Sequence, residues 1–271
     1  MVFLGADIGV VNPNHCIEEW IDDRVNIMFY TRFISIEIMA DSFIIKNTQY
    51  SHNFLKKWAN WEFIEKALPV ITNKTTFDYF YRSHGVDNGV LQLVVLEAVL
   101  PNAKVEYANC YEQFNTAYDL NKASSYYGFV LCVRTVLGSE YFWPGKIKIY
   151  RKGLGWARDG GHLTYDDWSE HDFMIHDWKG DDITKLAYWH KPASLLKEWK
   201  SPFLSMLNIS ECGKGYSGWN WRIEKKKSVE EIKKQLVESE KLFQDLFLKP
   251  HRFNPLIDSA RIDKCYPKCD K

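Results

Sequence analysis

Short apolar runs alternate along this chain with longer stretches of helical spacing, and this alternation limits the fold more than any other feature. Val2-Phe3-Leu4, Ile27 to Tyr30, Ser42 to Lys46, Lys146 to Tyr150 and Asp172 to Ile175 read as strands. The first reads as a buried strand, closed by the turn Gly5-Ala6-Asp7-Ile8-Gly9. Between the strands lie helix signals. Asn12-Pro13 has the form of a helix start, with Ile17, Trp20 and Ile21 on one face. Ser51 is placed to cap a helix whose apolar side is Phe54, Leu55, Trp58, Trp61 and Phe63. The polar turn Ser83 to Gly89 opens an apolar helix that Pro101 stops after Leu100. Near the C-terminus, Ser228 and Glu231 form a capping box for a helix to Phe247, with Val229, Ile232, Leu236, Phe243 and Phe247 as its stripe. The stretches Pro69 to Asp78, 105–142 and Gly153 to Asp159 read as loop or irregular chain. Strands alternating with helices pack as α/β layers.

Charge and length narrow the function classes. The 271 residues suit one large domain or two small ones. Lys plus Arg and Asp plus Glu are each 35, so a nucleic-acid binder working by bulk electrostatics is excluded. With 46% hydrophobic residues the chain is not of the disordered class. The run Val90 to Leu100 contains Gln92 and Glu97 and is too short to span a bilayer, and the start lacks a basic, apolar leader. As written, the chain reads as soluble and unsignalled.

The 11 Trp, 15 Tyr and 16 Phe leave two readings open, an aromatic core or rings that cover the apolar face of a sugar. Six cysteines permit three disulfides without fixing their pairing, and Cys265 and Cys269 lack zinc-finger spacing. Asn73-Lys-Thr and Asn208-Ile-Ser are glycosylation sequons. The adjacent acids Asp166-Asp167 and Asp181-Asp182 point apart and give no paired-carboxylate hydrolase site. Lys225-Lys226-Lys227 reads as a solvated region beside the terminal helix.

Three polar clusters carry candidate chemistry. Asp7 follows a strand, where a carboxylate suits a hard divalent cation. His84-Gly85-Val86-Asp87-Asn88 puts hydrogen-bonding side chains beside a glycine, which lets a ligand approach the backbone closely. Phe173-Met174-Ile175-His176-Asp177-Trp178-Lys179 runs from a strand to an imidazole and an ammonium. For each cluster the plain alternative is a turn residue, a helix cap or a surface side chain.

Taken in order, six segments resemble a family. They are Ala6 to Pro13, Glu37 to Thr48, Phe54 to Ala59, His84 to Gly89, Gly153 to Asp159 and Phe173 to Lys179. Together they resemble a nematode-expanded domain of unknown function. That domain is similar to GT-A nucleotide-sugar glycosyltransferases of the fungal galactosyl/mannosyltransferase and plant xylosyltransferase type. The resemblance covers roughly residues 2–180.

The resemblance implies an α/β, GT-A-like mixed sheet flanked by helices and incomplete at its N-terminus, where a nucleotide-binding half and a signal anchor are expected. Residues 1–180 would be the C-terminal part of the catalytic domain and 181–271 an extension with a helix near 228–247. The implied reaction is a metal-dependent, retaining transfer of a sugar from a UDP- or GDP-sugar to a glycan or protein acceptor. Asp7 and His176 would hold Mn²⁺ or Mg²⁺. Lys179, Ala40, Ser42 and His84 would bind the donor diphosphate, and Asp87 and Asn88 would be catalytic. A full-length protein would work in the secretory pathway, in the Golgi lumen. Three residues depart from the pattern: Gly5 replaces the first Asp of the signature, and Asp41 and Asp177 replace glycines. An acid at 177 would repel a diphosphate. These departures are the support for an alternative, a degenerate, non-catalytic protein that binds a glycan or a partner.

Overall fold

The computed structural model describes residues 1–33, 36–65, 87–116, 123–164, 167–176, 210, 223–245 and 261–268. In chain order these residues form β1 (Val2–Leu4), β2 (Gly9–Val10), β3 (Ile27–Tyr30), β4 (Ser42–Ile45), α1 (Gln49–Glu65), α2 (Asp87–Val99), α3 (Lys104–Thr116), α4 (Ala123–Leu137), β5 (Ile147–Tyr150), β6 (Ala157–Asp159), α5 (Gly161–Thr164), β7 (Met174–His176), α6 (Val229–Phe243) and α7 (Ile262–Cys265). The fold is mixed α/β. The chain divides into two compact units. The first is Met1–Phe3, Asp22–Arg151 and Leu242–Ser259; the second is Leu4–Ile21, Lys152–Lys241 and Ala260–Lys271.

The first unit is built on a sheet of order β1-β4-β3-β5. It is mixed: β3 runs antiparallel to β4, pairing Ile27 with Ile45, and parallel to β5, pairing Ile27 with Ile147. Both β3 and β4 are buried along their whole length, as their continuous apolar sequences require. β1 differs from the expected buried strand, because Val2, Phe3 and Leu4 are all exposed. It stands at the end of the strand order, where only one edge is paired. α2 is buried on every side, with Val90, Leu91, Leu93, Val94, Val95 and Leu96 closed to solvent, the pattern of a helix that is apolar all round. Its one buried polar side chain, Gln92, accepts from the Ile38 amide and donates to the Ile38 and Asn88 carbonyls.

Helix ends depart from expectation in detail. α1 starts at Gln49, and Thr48 rather than Ser51 caps it, its hydroxyl accepting the Ser51 amide at 3.3 Å. Phe54 and Trp61 are buried on its apolar side, whereas the Phe63 side chain lies outside the described ones, as do residues 69–78. The larger correction is residues 105–142, which are not irregular. α3 and α4 occupy most of that stretch, joined by a Cys110–Cys132 disulfide. Tyr107, Cys110, Tyr111 and Phe114 face the core at helical spacing. Tertiary packing and the crosslink outweigh the modest helix propensity of so many aromatic residues.

The second unit carries a sheet of order β2-β7-β6. β2 is antiparallel to β7, and β7 is parallel to β6. Gly153 to Asp159 is therefore not all loop, since β6 takes up its last three residues. The helix expected after Asn12-Pro13 is one 3₁₀ turn, Ile17–Trp20. The Asn12 side chain accepts the Asn14 amide and donates to the Glu170 carbonyl instead of capping a helix. The capping box of α6 forms as expected: Glu231 accepts from the Ser228 amide and hydroxyl. Ile232 and Leu236 are buried on its stripe, and Phe247 lies outside the described residues. Lys225 is not solvated; it is buried and paired with Asp167 at 3.2 Å. Trp156 and Trp168 are core residues of this unit. Cys265 is also disulfide-bonded. Among the described residues, no helix is long and apolar enough to cross a membrane.

Candidate functional site

The second unit gathers three groups from separate segments. β6 and β7 end side by side, and their parallel register sets Asp159 directly beside His176. Parallel strands bring side chains of paired residues onto one face, and the Asp159 carboxylate meets His176 Nδ1 at 2.8 Å. Both side chains are buried. Asp7 sits in the turn before β2, where the Ile8 amide donates to the Gly5 carbonyl. Its Oδ2 lies 3.7 Å from His176 Nε2. One imidazole thus stands between two carboxylates, one at each ring nitrogen.

The chemistry of that arrangement follows from the ring. A proton shared on the Nδ1 side with Asp159 leaves Nε2 as a lone pair in the neutral tautomer. That lone pair faces the oxygen of Asp7 at a separation wider than a hydrogen bond. A carboxylate behind a histidine is also how proteins orient imidazole ligands of metals. Among the described residues, no group of three or more His, Cys, Asp or Glu side chains could hold a metal ion as a cage. Asp7 and His176 instead supply one oxygen and one nitrogen. A carboxylate oxygen and an imidazole nitrogen are ligand types that hard or borderline divalent cations accept.

A buried network fixes this end of the sheet. Arg158, between Ala157 and Asp159 on β6, is bidentate to Asp172, at 2.6 and 3.0 Å. It also donates to the Asp159 carbonyl, the Thr164 hydroxyl and the Asp167 carbonyl. Asp172 accepts the Ser169 amide and hydroxyl in addition. Burial works against the Arg158 charge, but the Asp172 carboxylate outweighs it and raises the guanidinium above its ordinary range. Gly160, one residue past Asp159, donates its amide to the His176 carbonyl. A Cβ there would stand 1.8 Å from Ile175 Cγ2, so only glycine lets the two strand ends approach this closely.

The other expected site residues lie in the first unit or outside the described residues. Asn88 Oδ1 accepts the Ala40 amide at 3.2 Å, which sets an expected catalytic position beside an expected donor-site position. Asn88 thereby holds backbone. Asp87 is exposed at the head of α2, and its carboxylate accepts the Asn88 amide at 2.7 Å. Ser42 is fully buried in β4. His84, Asp177 and Lys179 lie outside the described residues. Sequence reasoning assigned no role to Asp159 or to the Arg158–Asp172 pair. Ala157-Arg158-Asp159 has no apolar alternation, so nothing marked it as a buried strand. The available signal was only that an Arg and an Asp adjoin a glycine in a segment already singled out.

Comparison with known proteins gives one family. The family described as "Protein of unknown function, DUF273" matches residues 1–190. No curated protein and no solved structure matches the chain. The match spans most of the sequence, and the chain belongs to this family.

Proposed function

We propose that this protein is a GT-A-like glycosyltransferase that uses a UDP- or GDP-sugar as donor and a glycan or protein as acceptor. The observation that carries the reading is the meeting of Asp7 with His176, two residues far apart in sequence and paired in advance by the resemblance, with Asp159 behind the ring. In this reading Asp7 and His176 hold Mn²⁺ or Mg²⁺. When bound, the cation neutralises charge on the leaving diphosphate. The protein's own groups do the positioning. Asp159 fixes the His176 tautomer and aims Nε2 at Asp7. The Arg158–Asp172 pair locks β6, and Gly160 admits the close approach of β7. The Cys110–Cys132 disulfide supports an oxidising compartment, in keeping with work in the secretory pathway.

Titration of the intrinsic tryptophan fluorescence with UDP and GDP tests the reading. A saturable response is expected with Mn²⁺ present and none with chelator, and Asp7→Ala or His176→Ala should abolish it. Nucleotide binding indifferent to Mn²⁺ would remove the metal-dependent reading. Binding of glycan without nucleotide would favour the degenerate, non-catalytic alternative instead.

A further inference from the structure

We propose that His15 is a proton-operated latch: as an imidazolium it ties the chain after β2 to the segment leading into β7, and on losing its proton it lets go. Within the second unit, β2 meets β7 in two residue pairs, Gly9 with Ile175 and Val10 with Met174. So short a ladder has little stability of its own. The chain beyond β2 adds more, because the Val11 and Asn12 amides both donate to the Phe173 carbonyl, at 2.8 and 3.2 Å. Two side chains then converge on the Glu170 carbonyl, where Asn12 Nδ2 and His15 Nε2 each lie at 2.9 Å. The other side of the ring is engaged as well. His15 Nδ1 lies 3.1 and 3.0 Å from the two carboxylate oxygens of Glu19, on the 3₁₀ turn. The ring also sits against Trp20 and Phe173, which stack on each other at 5.4 Å.

Both ring nitrogens thus face acceptors. A carbonyl has no proton to give, and a neutral imidazole carries a single N–H. A neutral ring would satisfy one contact and turn a lone pair on the oxygen at the other. Only the imidazolium donates on both sides. The proton at Nδ1 belongs to the ring, because a carboxyl group holds a proton less tightly than an imidazole. Glu19 is further held as a carboxylate by the Cys16 amide, which donates to its Oε1 at 2.9 Å. Partial burial opposes the imidazolium charge, but the Glu170 carbonyl and the Glu19 carboxylate outweigh it and raise His15 above its ordinary 6.5. Burial likewise pushes Glu19 up, and the Cys16 amide and the His15 ring outweigh it and hold the carboxylate below its ordinary 4.5. The other charge acting on the ring is that of Asp172, before β7, which is paired with Arg158. By linkage, His15 contributes its full stability below pH 6.5 and loses it as pH rises through the raised value. Glu19 contributes in full above pH 4.5 and loses its share as pH falls through the lowered value. The latch is therefore closed between pH 4.5 and 6.5 and opens as the solution turns basic. It stands on the His15 contacts and not on the cation reading, although the same pairing of β2 with β7 brings Asp7 to His176.

Long-range ¹H–¹⁵N spectra of the histidine rings in the full chain, recorded from pH 5 to pH 9, test the latch. The signal missing from His15→Gln identifies His15. It should show both nitrogens protonated at pH 6 and a titration midpoint above 6.5, and Glu19→Gln should move that midpoint down. Thermal unfolding gives the second reading. The parent should unfold about 2–4 °C above His15→Gln at pH 5.5, the shift that one charge-assisted contact makes in a chain of this size. That gap should close by pH 9, and taking the difference cancels the titration of the other histidines. If His15→Gln does not fold, Glu19→Gln, altered at an exposed carboxylate, carries both readings, and the ring whose midpoint it lowers is His15. A His15 midpoint at or below 6.5, a single N–H at pH 6, a midpoint unmoved by Glu19→Gln, or a gap that is absent or constant from pH 5.5 to pH 9 would overturn the proposal.

Discussion

Gly160 shows how one residue sets the candidate site. It follows Asp159, and any side chain there meets Ile175, the neighbour of His176. Gly160→Ala should cost about 1–3 kcal/mol of stability, the usual penalty for overpacking. Gly138 offers the contrast, since its φ is +66° with nothing within 4 Å; there the cost is backbone strain alone. Thermal unfolding should show that Gly160→Ala with Ile175→Ala loses less than the two singles added together. Strict additivity would mean that the contact with Ile175 is not what excludes a side chain. Neither the role of Gly160 nor that of Asp159 was legible in the sequence. A buried Asp and a close-approach glycine carry no periodic signature, and their meaning appears only when β6 and β7 lie in register. His176 and Asp7 stood out as candidates because each sits at the end of an apolar run or its turn.

At the scale of elements, apolar continuity was the reliable guide. β3 was bounded as observed, β4 and β5 to within a residue, and α2 because it is apolar on every face. The capping box of α6 also formed where its spacing put it. What failed was α3 and α4. Tyr107, Cys110, Tyr111 and Phe114 do recur at helical spacing, but the exposed Val105 lies off that face and blurs the stripe. The Cys110–Cys132 crosslink, 22 residues apart, then joins the two helices. Replacing both cysteines by alanine should lower stability by about 2–4 kcal/mol. Denaturant unfolding reads this directly, and an unchanged midpoint would mean that helix packing alone holds the pair together.

At the scale of the molecule, the α/β class was legible from the alternation of runs, while the division into two units was not. The chain leaves and re-enters each unit, so no composition shift marks a boundary. Membership of the DUF273 family covers residues 1–190, which include Asp7, Asp159 and His176. The central proposal is that Asp7 and His176 hold a divalent cation. Electron paramagnetic resonance of free Mn²⁺ over a protein titration tests it most directly. One saturable site is predicted for the parent chain, lost in Asp7→Ala and His176→Ala. Asp159→Asn should retain the site but weaken it about 10–100-fold, the range for a residue that orients a ligand. Equal Mn²⁺ binding in the parent and in both alanine variants, or none in the parent, would contradict the account.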